Sequence, residues 1–351
     1  MEQMKIISKL PINVKIEHVD LFKKKEKYTL KLLKIKVINN VFITHWGLLV
    51  KNWLLPIRSV ENLIGTYDKS FYFSHWRLAI EQFLVSKFGK SLPSIKIEDD
   101  ALYFTIHTPW FGYFSWLTTY LPRLIEISNK YPEATLLVPE EWNNISFVSD
   151  TLSMFPNLKM KILPNDHHAF VKNYVFAETR PWTSIFYPEH IEKVRNVFIE
   201  KLKEETVELS PIKKIYVSRK KANRRKIINE EELESYLINL GFESICFEDY
   251  SIFEQVFLMQ NADVLISMHG AGLTNTLFMS PKSTLLELTP LLENKNLFRF
   301  PFWRISSILV VNYYVQFCDT INKGEMDFYS RNIQVDMTEF KENMNAILKN
   351  Y

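Results

Sequence analysis

Asp263-Val-Leu-Ile-Ser-Met-His-Gly-Ala-Gly-Leu-Thr-Asn-Thr-Leu-Phe-Met-Ser-Pro-Lys-Ser-Thr-Leu-Leu-Glu-Leu-Thr-Pro290 decides the fold. It reads as a buried strand (263–268), a glycine turn, a short helix (272–279), a proline break and a second strand (284–288) that carries a carboxylate near its end. The chain holds 8 glycines in 351 residues, well below the usual ~7%. Gly270 and Gly272 are two of them, placed where strand meets helix. Main-chain N–H groups and the helix dipole favour an anion at such a junction, and glycine lets a phosphate approach the backbone. The plainer alternative is a tight turn whose glycines supply positive φ. A dinucleotide fingerprint fails because its third glycine position is Asn275, which disfavours an NAD-dependent oxidoreductase, and no Walker motif occurs.

The same alternation extends in both directions. Downstream of residue 206, Ile212–Ser218 reads as a strand. Asn229 with Glu232 signals the start of a helix ending near Gly241, and Phe242–Phe247 reads as a strand. Ser251 with Glu254 forms a capping box for a helix to Asn261. Ile305–Val311 is expected to add a strand and Thr338–Leu348 a final helix. Upstream, Ala101–Ile106, Ala134–Val138 and Leu158–Leu163 read as strands. Helices at 113–130, kinked at Pro122, and at 140–154 separate them. Lys31–Leu55 is β-rich, and Pro188–Lys203 is an amphipathic helix. The polar stretch 204–214, with Pro211, marks a boundary. The expected division is 1–205, 206–335 and a C-terminal helix at 336–351. Two doubly wound α/β domains follow, with ligands at the carboxyl ends of strands. Met268-His269-Gly270 is such an end.

Composition narrows the function. A net charge of +3 lacks the basic excess of a nucleic-acid binder. Two cysteines, Cys246 and Cys318, form neither a disulfide framework nor a zinc site. His107, His167, His168 and His190 show no metal-ligand spacing, so no metal is expected. Neither a secretory leader nor a run of 18 apolar residues is present, and a cytoplasmic location is expected. The run Lys23, Lys24, Lys25, Lys27 is a solvated face or a patch attracted to an anionic membrane surface.

Four constellations carry chemistry. His269 can donate to a phosphate oxygen or a sugar hydroxyl, beside the amides of Gly270, Ala271, Gly272 and Leu273. Glu287 can accept two ribose hydroxyls, or is an ordinary surface glutamate. The loop Ser218–Lys226 follows a strand and offers Arg219 and Arg225, whose forks suit a diphosphate; a solvated loop is the alternative. Gly112–Arg123 is dense in aromatics, as a sugar-stacking wall or as core.

Three of these segments together resemble the DUF563 glycosyltransferases, family 61. His269-Gly-Ala-Gly-Leu-Thr-Asn275, with Phe278-Met279 and Leu286-Glu287, is similar to the family's most specific signature. Tyr216-Val-Ser-Arg219 with Arg225, Ile227, Asn229 and Glu230 resembles a second motif. Tyr113-Phe-Ser-Trp116 with Leu121-Pro-Arg-Leu124 resembles a third. The resemblance implies a GT-B-like architecture, two Rossmann-like domains facing a central cleft. It implies inverting, metal-independent transfer from a nucleotide-diphosphate sugar, with a UDP-sugar the expected donor and no further cofactor. The acceptor is a glycan or lipid-linked glycan of surface (capsular) polysaccharide synthesis, with peripheral membrane contact. Arg219, Arg225, His269, Gly270–Leu273, Asn275 and Glu287 would bind the donor, and Ser115, Trp116 and Arg123 the acceptor. Ser115 stands where the family has a histidine, and Thr119 where it often has an acid. His107 is the substitute base, and a non-catalytic binder of nucleotide sugar or glycan is the competing reading.

Overall fold

The structure is a computed structural model that describes residues 3–51, 55–56, 77, 81, 84, 92–108, 111–178, 184–291, 300–321 and 331–349. The chain opens with β1 (Gln3–Ile7), α1 (Val19–Lys23) and β2 (Lys27–Lys31). It divides into two compact units, 31–194 and 3–30 with 195–351.

The first unit is built on one sheet of β3 (Ile35–Ile43), β4 (Leu49–Lys51), β5 (Leu55–Pro56), β6 (Ser94–Ile97), β7 (Tyr103–Phe104), β8 (Thr135–Pro139), β9 (Lys159–Leu163) and β10 (His168–Ala177). The order is β5-β4-β3-β10-β7-β8-β9, with β6 also paired to β10. Strands β10, β7, β8 and β9 run parallel, joined by the expected β-α-β-α-β alternation. β10 was not expected. Its polar residues Lys172 and Asn173 interrupt the apolar run, yet it is the central strand, antiparallel to β3 from Ala169–Ile43 to Ala177–Ile35.

Between β7 and β8, the helix runs through Tyr113–Ser115, a π-turn at Trp116–Tyr120, and α2 (Leu121–Lys130). The expected kink is this π-turn. Pro122 has no N–H for the carbonyl four residues back, and the Leu121 N–H reaches the Trp116 carbonyl, five residues back. A short α3 (Ser146–Leu152) separates β8 from β9.

The second unit holds β11 (Lys214–Val217), β12 (Glu243–Ile245), β13 (Val264–Met268), β14 (Thr284–Pro290), β15 (Asn312–Ile321) and β16 (Asn332–Gln334) in the order β12-β11-β13-β14-β15-β16. The first five are parallel and β16 is antiparallel to β15. All of β13 is buried, as a strand covered on both faces must be. The helices are α4 (Pro188–Leu202), α5 (Glu230–Asn239), α6 (Ile252–Asn261), α7 (Pro301–Ile308) and α8 (Met337–Lys349). The Ser251–Glu254 capping box opens α6 as expected, with both reciprocal bonds formed.

Several expectations change. The strand expected at 305–311 is α7, entered through Pro301, and the strand begins at Asn312. The helix after Gly270 is a 3-10 helix, Ala271–Phe278, in which the Leu273 N–H bonds the Gly270 carbonyl three residues back at 3.1 Å. Asn229 does not cap α5 through its side chain. It exchanges two hydrogen bonds with the backbone of Val335, at 2.9 and 3.0 Å.

The division of the chain also differs from the expected break at 205/206. It falls inside α4, whose Arg195 donates to the carbonyls of Leu277 (2.9 Å) and Met279 (2.6 Å). Residues 3–30 pack with the C-terminal half: the Ile12 N–H bonds the Tyr313 carbonyl at 2.9 Å, Asn13 brackets Val315 at 2.8 and 2.9 Å, and Phe22 stacks on Phe300 at 4.2 Å. Helix α8 is not separate, since Phe340, Met344 and Ile347 lie in the same core as β13 and β14.

Candidate functional site

The topology of the second unit selects a place before any side chain is considered. From β11 the chain crosses to β12 on one flank, then returns past β11 to β13 on the other. The connections leaving β11 and β13 therefore diverge at their carboxyl ends, the usual ligand position of such sheets. Val217 pairs with Ser267, and Ser267 with Glu287. That register sets Arg219, His269-Gly270 and Glu287 along a single rim.

The first segment at this rim is organised by Glu230. This residue is 8% exposed. Its Oε1 accepts from Tyr216 Oη at 2.8 Å, Ser218 Oγ at 3.0 Å and the Arg219 N–H at 2.6 Å. The turn that follows is closed by the arginine itself, with Arg219 Nε donating to the Arg225 carbonyl (3.2 Å) and Nη2 to the Arg224 carbonyl (3.0 Å). Arg225 adopts φ 62°, a left-handed conformation uncommon for a residue with a side chain. Burial lowers the Arg219 pKa, opposed by the nearby charges of Glu248 and Glu230; a guanidinium stays cationic nonetheless.

The second segment is the glycine turn. A Cβ placed on Gly270 would lie 3.8 Å from Arg219 Nη1 and 4.0 Å from Arg225 Nη1. Both guanidinium groups thus face the same bare stretch of backbone. Gly270 has φ 177°, which is extended backbone, so its use is the close approach of the two cations to the backbone rather than positive φ. Gly272 serves packing: a Cβ there would meet Phe247 Cδ2 at 3.1 Å. Ala271 is exposed at the helix start. The first N–H groups of a helix have no intrahelical acceptor, which adds donors to the guanidinium pair. Leu273 and Asn275 do not join them. Both are fully buried, the Leu273 N–H is bonded to Gly270, and Asn275 Nδ2 donates to Gln255 Oε1 at 2.7 Å. Gln255 in turn holds the carbonyls of Phe247 and Tyr250, so Asn275 ties the turn to α6.

Glu287 also differs from expectation. It is 2% exposed; Oε1 is bonded to His269 Nδ1, and Oε2 accepts from Tyr313 Oη at 2.7 Å. A carboxylate enclosed in this way holds an imidazole rather than a ribose. Burial and the charge of Glu287 push the Tyr313 phenol well above its usual range, so it remains a donor. The His269 ring packs against Phe302 at 5.3 Å between centroids.

In the first unit, most residues expected to bind an acceptor are structural. Trp116 is wholly buried, edge-on to Trp142 at 5.2 Å, with Nε1 donating to Thr151 Oγ1 at 3.3 Å. Arg123 is 5% exposed and donates to the carbonyls of Ile106 (3.1 Å) and Thr105 (3.2 Å), which follow β7. Ser115 is half-buried. His107 is 4% exposed, and among the described residues neither ring nitrogen has a hydrogen-bond partner within bonding geometry. Burial, with the Arg123 charge, lowers its pKa to about 3, too acidic for a general base near neutral pH.

Three functional residues were missed or misread in the sequence. Glu230 was visible only as part of a motif. Tyr313 and Phe302 carried no signal, because long-range pairing alone brings them to Glu287 and His269. Among the described residues, no group of three His, Cys, Asp or Glu side chains could hold a metal ion. No described helix is long and apolar enough to cross a membrane.

Residues 113–286 match the family model described as Glycosyltransferase 61. The chain is similar to a β-1,2-xylosyltransferase of Oryza sativa subsp. japonica, 36% identical over 73 residues, 20% of this chain and 12% of that protein. It is similar to the human protein O-linked-mannose β-1,4-N-acetylglucosaminyltransferase 2, 38% identical over 80 residues, 21% of this chain and 13% of that one. An α-1,3-arabinosyltransferase of Oryza sativa subsp. japonica is 36% identical over 76 residues, 20% and 13% of the two chains. Each alignment thus spans about one-eighth of the relative's own length. With the family match running from the π-turn helix, through the Arg219 loop and the Gly270 turn, to Leu286 beside Glu287, the chain belongs to glycosyltransferase family 61.

Proposed function

We propose that this protein transfers a sugar from a nucleotide-diphosphate donor to a hydroxyl of a glycan, with inversion at the anomeric carbon and without a metal ion. The observation that carries the reading is the pair of guanidinium groups of Arg219 and Arg225 on the bare backbone at Gly270, at the switch point of a parallel sheet. As the bond to the leaving diphosphate breaks, negative charge grows on its oxygens. Two fixed cations and the helix-start amides stabilise that charge more than the ground state, which is the differential interaction catalysis requires. A UDP-sugar is the proposed donor. The named relatives transfer xylose, arabinose and N-acetylglucosamine, so a pentose or N-acetylhexosamine is the proposed cargo.

The finer assignments belong to the same proposal: a GT-B arrangement, an acceptor in surface polysaccharide synthesis, and a cytoplasmic site of action with membrane contact where the acceptor is lipid-linked. Arg219→Ala is expected to abolish transfer with the fold intact, and unchanged turnover would remove the anion site from the mechanism. Product NMR is expected to give the inverted anomer; the retained anomer refutes that part. A second reading, a binder that no longer transfers, is favoured by Ser115 in the family's histidine position and by the burial of His107. Donor hydrolysis or transfer above background excludes it.

A further inference from the structure

Glu287 sits at the site's rim yet is closed off from solvent, with its two oxygens bonded to side chains from different segments, His269 Nδ1 and Tyr313 Oη. Tyr313 is itself fixed from behind, because its carbonyl accepts the Ile12 N–H at 2.9 Å. We infer that Glu287 and Tyr313 are positioning residues, which lock the His269 ring with Nδ1–H turned to the carboxylate and Nε2 presented to the leaving diphosphate at Gly270. The diphosphate rests on the proposed transfer reaction; the relay itself is a property of the protein alone.

Three physical arguments support the inference. An ionised carboxylate accepts hydrogen bonds on both oxygens, which is the pattern at Glu287. Burying such a charge without a partner is costly, and among the described residues the His269 ring lies within ion-pair distance of Glu287. A carboxylate on one imidazole nitrogen fixes the tautomer and ring plane, and so fixes what the other nitrogen offers a ligand. Among the described residues, Glu287 on β14 bonds the ring, Tyr313 on β15 bonds Glu287 behind it, Phe302 of α7 packs on the ring, and Arg219 and Arg225 stand beside Gly270.

In the reaction, the acceptor oxygen bonds to the anomeric carbon and the acceptor proton passes to water. The anomeric carbon–oxygen bond to the diphosphate breaks, and its electron pair stays on the diphosphate oxygen. A hydrogen bond from Nε2 to that oxygen strengthens as the charge grows, and the carboxylate on Nδ1 keeps the ring aimed at it.

The test uses the full chain. Glu287→Gln keeps an acceptor for Nδ1–H and removes the charge; Tyr313→Phe removes one hydrogen bond and keeps the ring. kcat is expected to fall about 10–100-fold in the first and about 3–10-fold in the second. Donor KM should change less than about 3-fold, the mark of an interaction gained in the transition state. Nitrogen-15 NMR of the ligand-free protein, assigned with His269→Gln, should show a protonated Nδ1 whose signal shifts in Glu287→Gln. Unchanged kcat, or an unchanged ring signal, overturns the inference. The NMR signature without transfer from any donor supports the relay and removes the transfer reading. If Glu287→Gln does not fold, Tyr313→Phe carries the same test.

Discussion

Acidifying the protein should unfold its first unit, and His107 sets the size of the effect. The ring is buried and its pKa is lowered to about 3, against about 6.5 in an unfolded chain. Below the unfolded value the open chain takes up a proton that the folded one refuses. Stability is therefore intact above about pH 6.5 and is lost as pH falls toward the folded value, by about 1.4 kcal/mol per pH unit. Between about pH 7 and 5 the loss from this one group is about 2 kcal/mol. His168, lowered to about 4 by burial and the neighbouring His45 charge, acts in the same direction, as does His45, lowered by burial. The assay is urea unfolding followed by the fluorescence of Trp116 and Trp142, both buried in this unit. His107→Leu should remove the about 2 kcal/mol difference between the two pH values. At neutral pH the variant should be within about 1.5 kcal/mol of the parent, because releasing two unpartnered buried nitrogens offsets an imperfect fit. It should also keep its transfer activity. An unchanged pH slope would refute the electrostatic argument, and lost activity with an intact fold would restore His107 as the base.

Other expectations are direct. Gly270→Ala places its Cβ in ordinary contact with both arginine heads, so melting should shift little while nucleotide-diphosphate affinity, read by calorimetry, falls about 10-fold or more. Gly47→Ala meets the His107 carbonyl oxygen at 2.3 Å from a backbone at φ 78°, and a loss of at least about 2 kcal/mol is expected in urea unfolding. Ser251→Ala removes the capping box of α6 and should cost about 1 kcal/mol. Transfer should be unaffected by EDTA; a loss restored by a divalent cation would refute metal independence.

The sequence was legible where local chemistry and global packing agree. The Asp263–Pro290 alternation became β13, a helical turn and β14, and the Ser251–Glu254 box became the start of α6. It was illegible where a residue's partner lies far along the chain. Nothing near Asn13 signals that it brackets Val315 at 2.8 and 2.9 Å, so residues 3–30 were read with the domain they adjoin in sequence. His168–Ala177 was passed over because Lys172 and Asn173 break the apolar pattern, although antiparallel pairing to β3 makes it central.

The same distinction explains why motif residues divided between ligand and scaffold. A motif marks positions that cannot vary freely, and a buried hydrogen-bonded polar group is as constrained as a ligand. Asn275, Glu287, Asn229 and Glu230 hold the turns in place, through Gln255, His269, Val335 and the Arg219 N–H respectively. Arg219 and Arg225 bring their guanidinium groups together at Gly270. The division follows from side-chain reach. The carboxylates and amides are spent on partners behind the turn, whereas the Arg219 fork closes the loop on the Arg224 and Arg225 carbonyls and keeps Nη1 beside Gly270. In this turn, scaffold residues should therefore show coupled losses in double-mutant cycles with Arg219, because each acts on the ligand only through the position of that guanidinium or of the His269 ring.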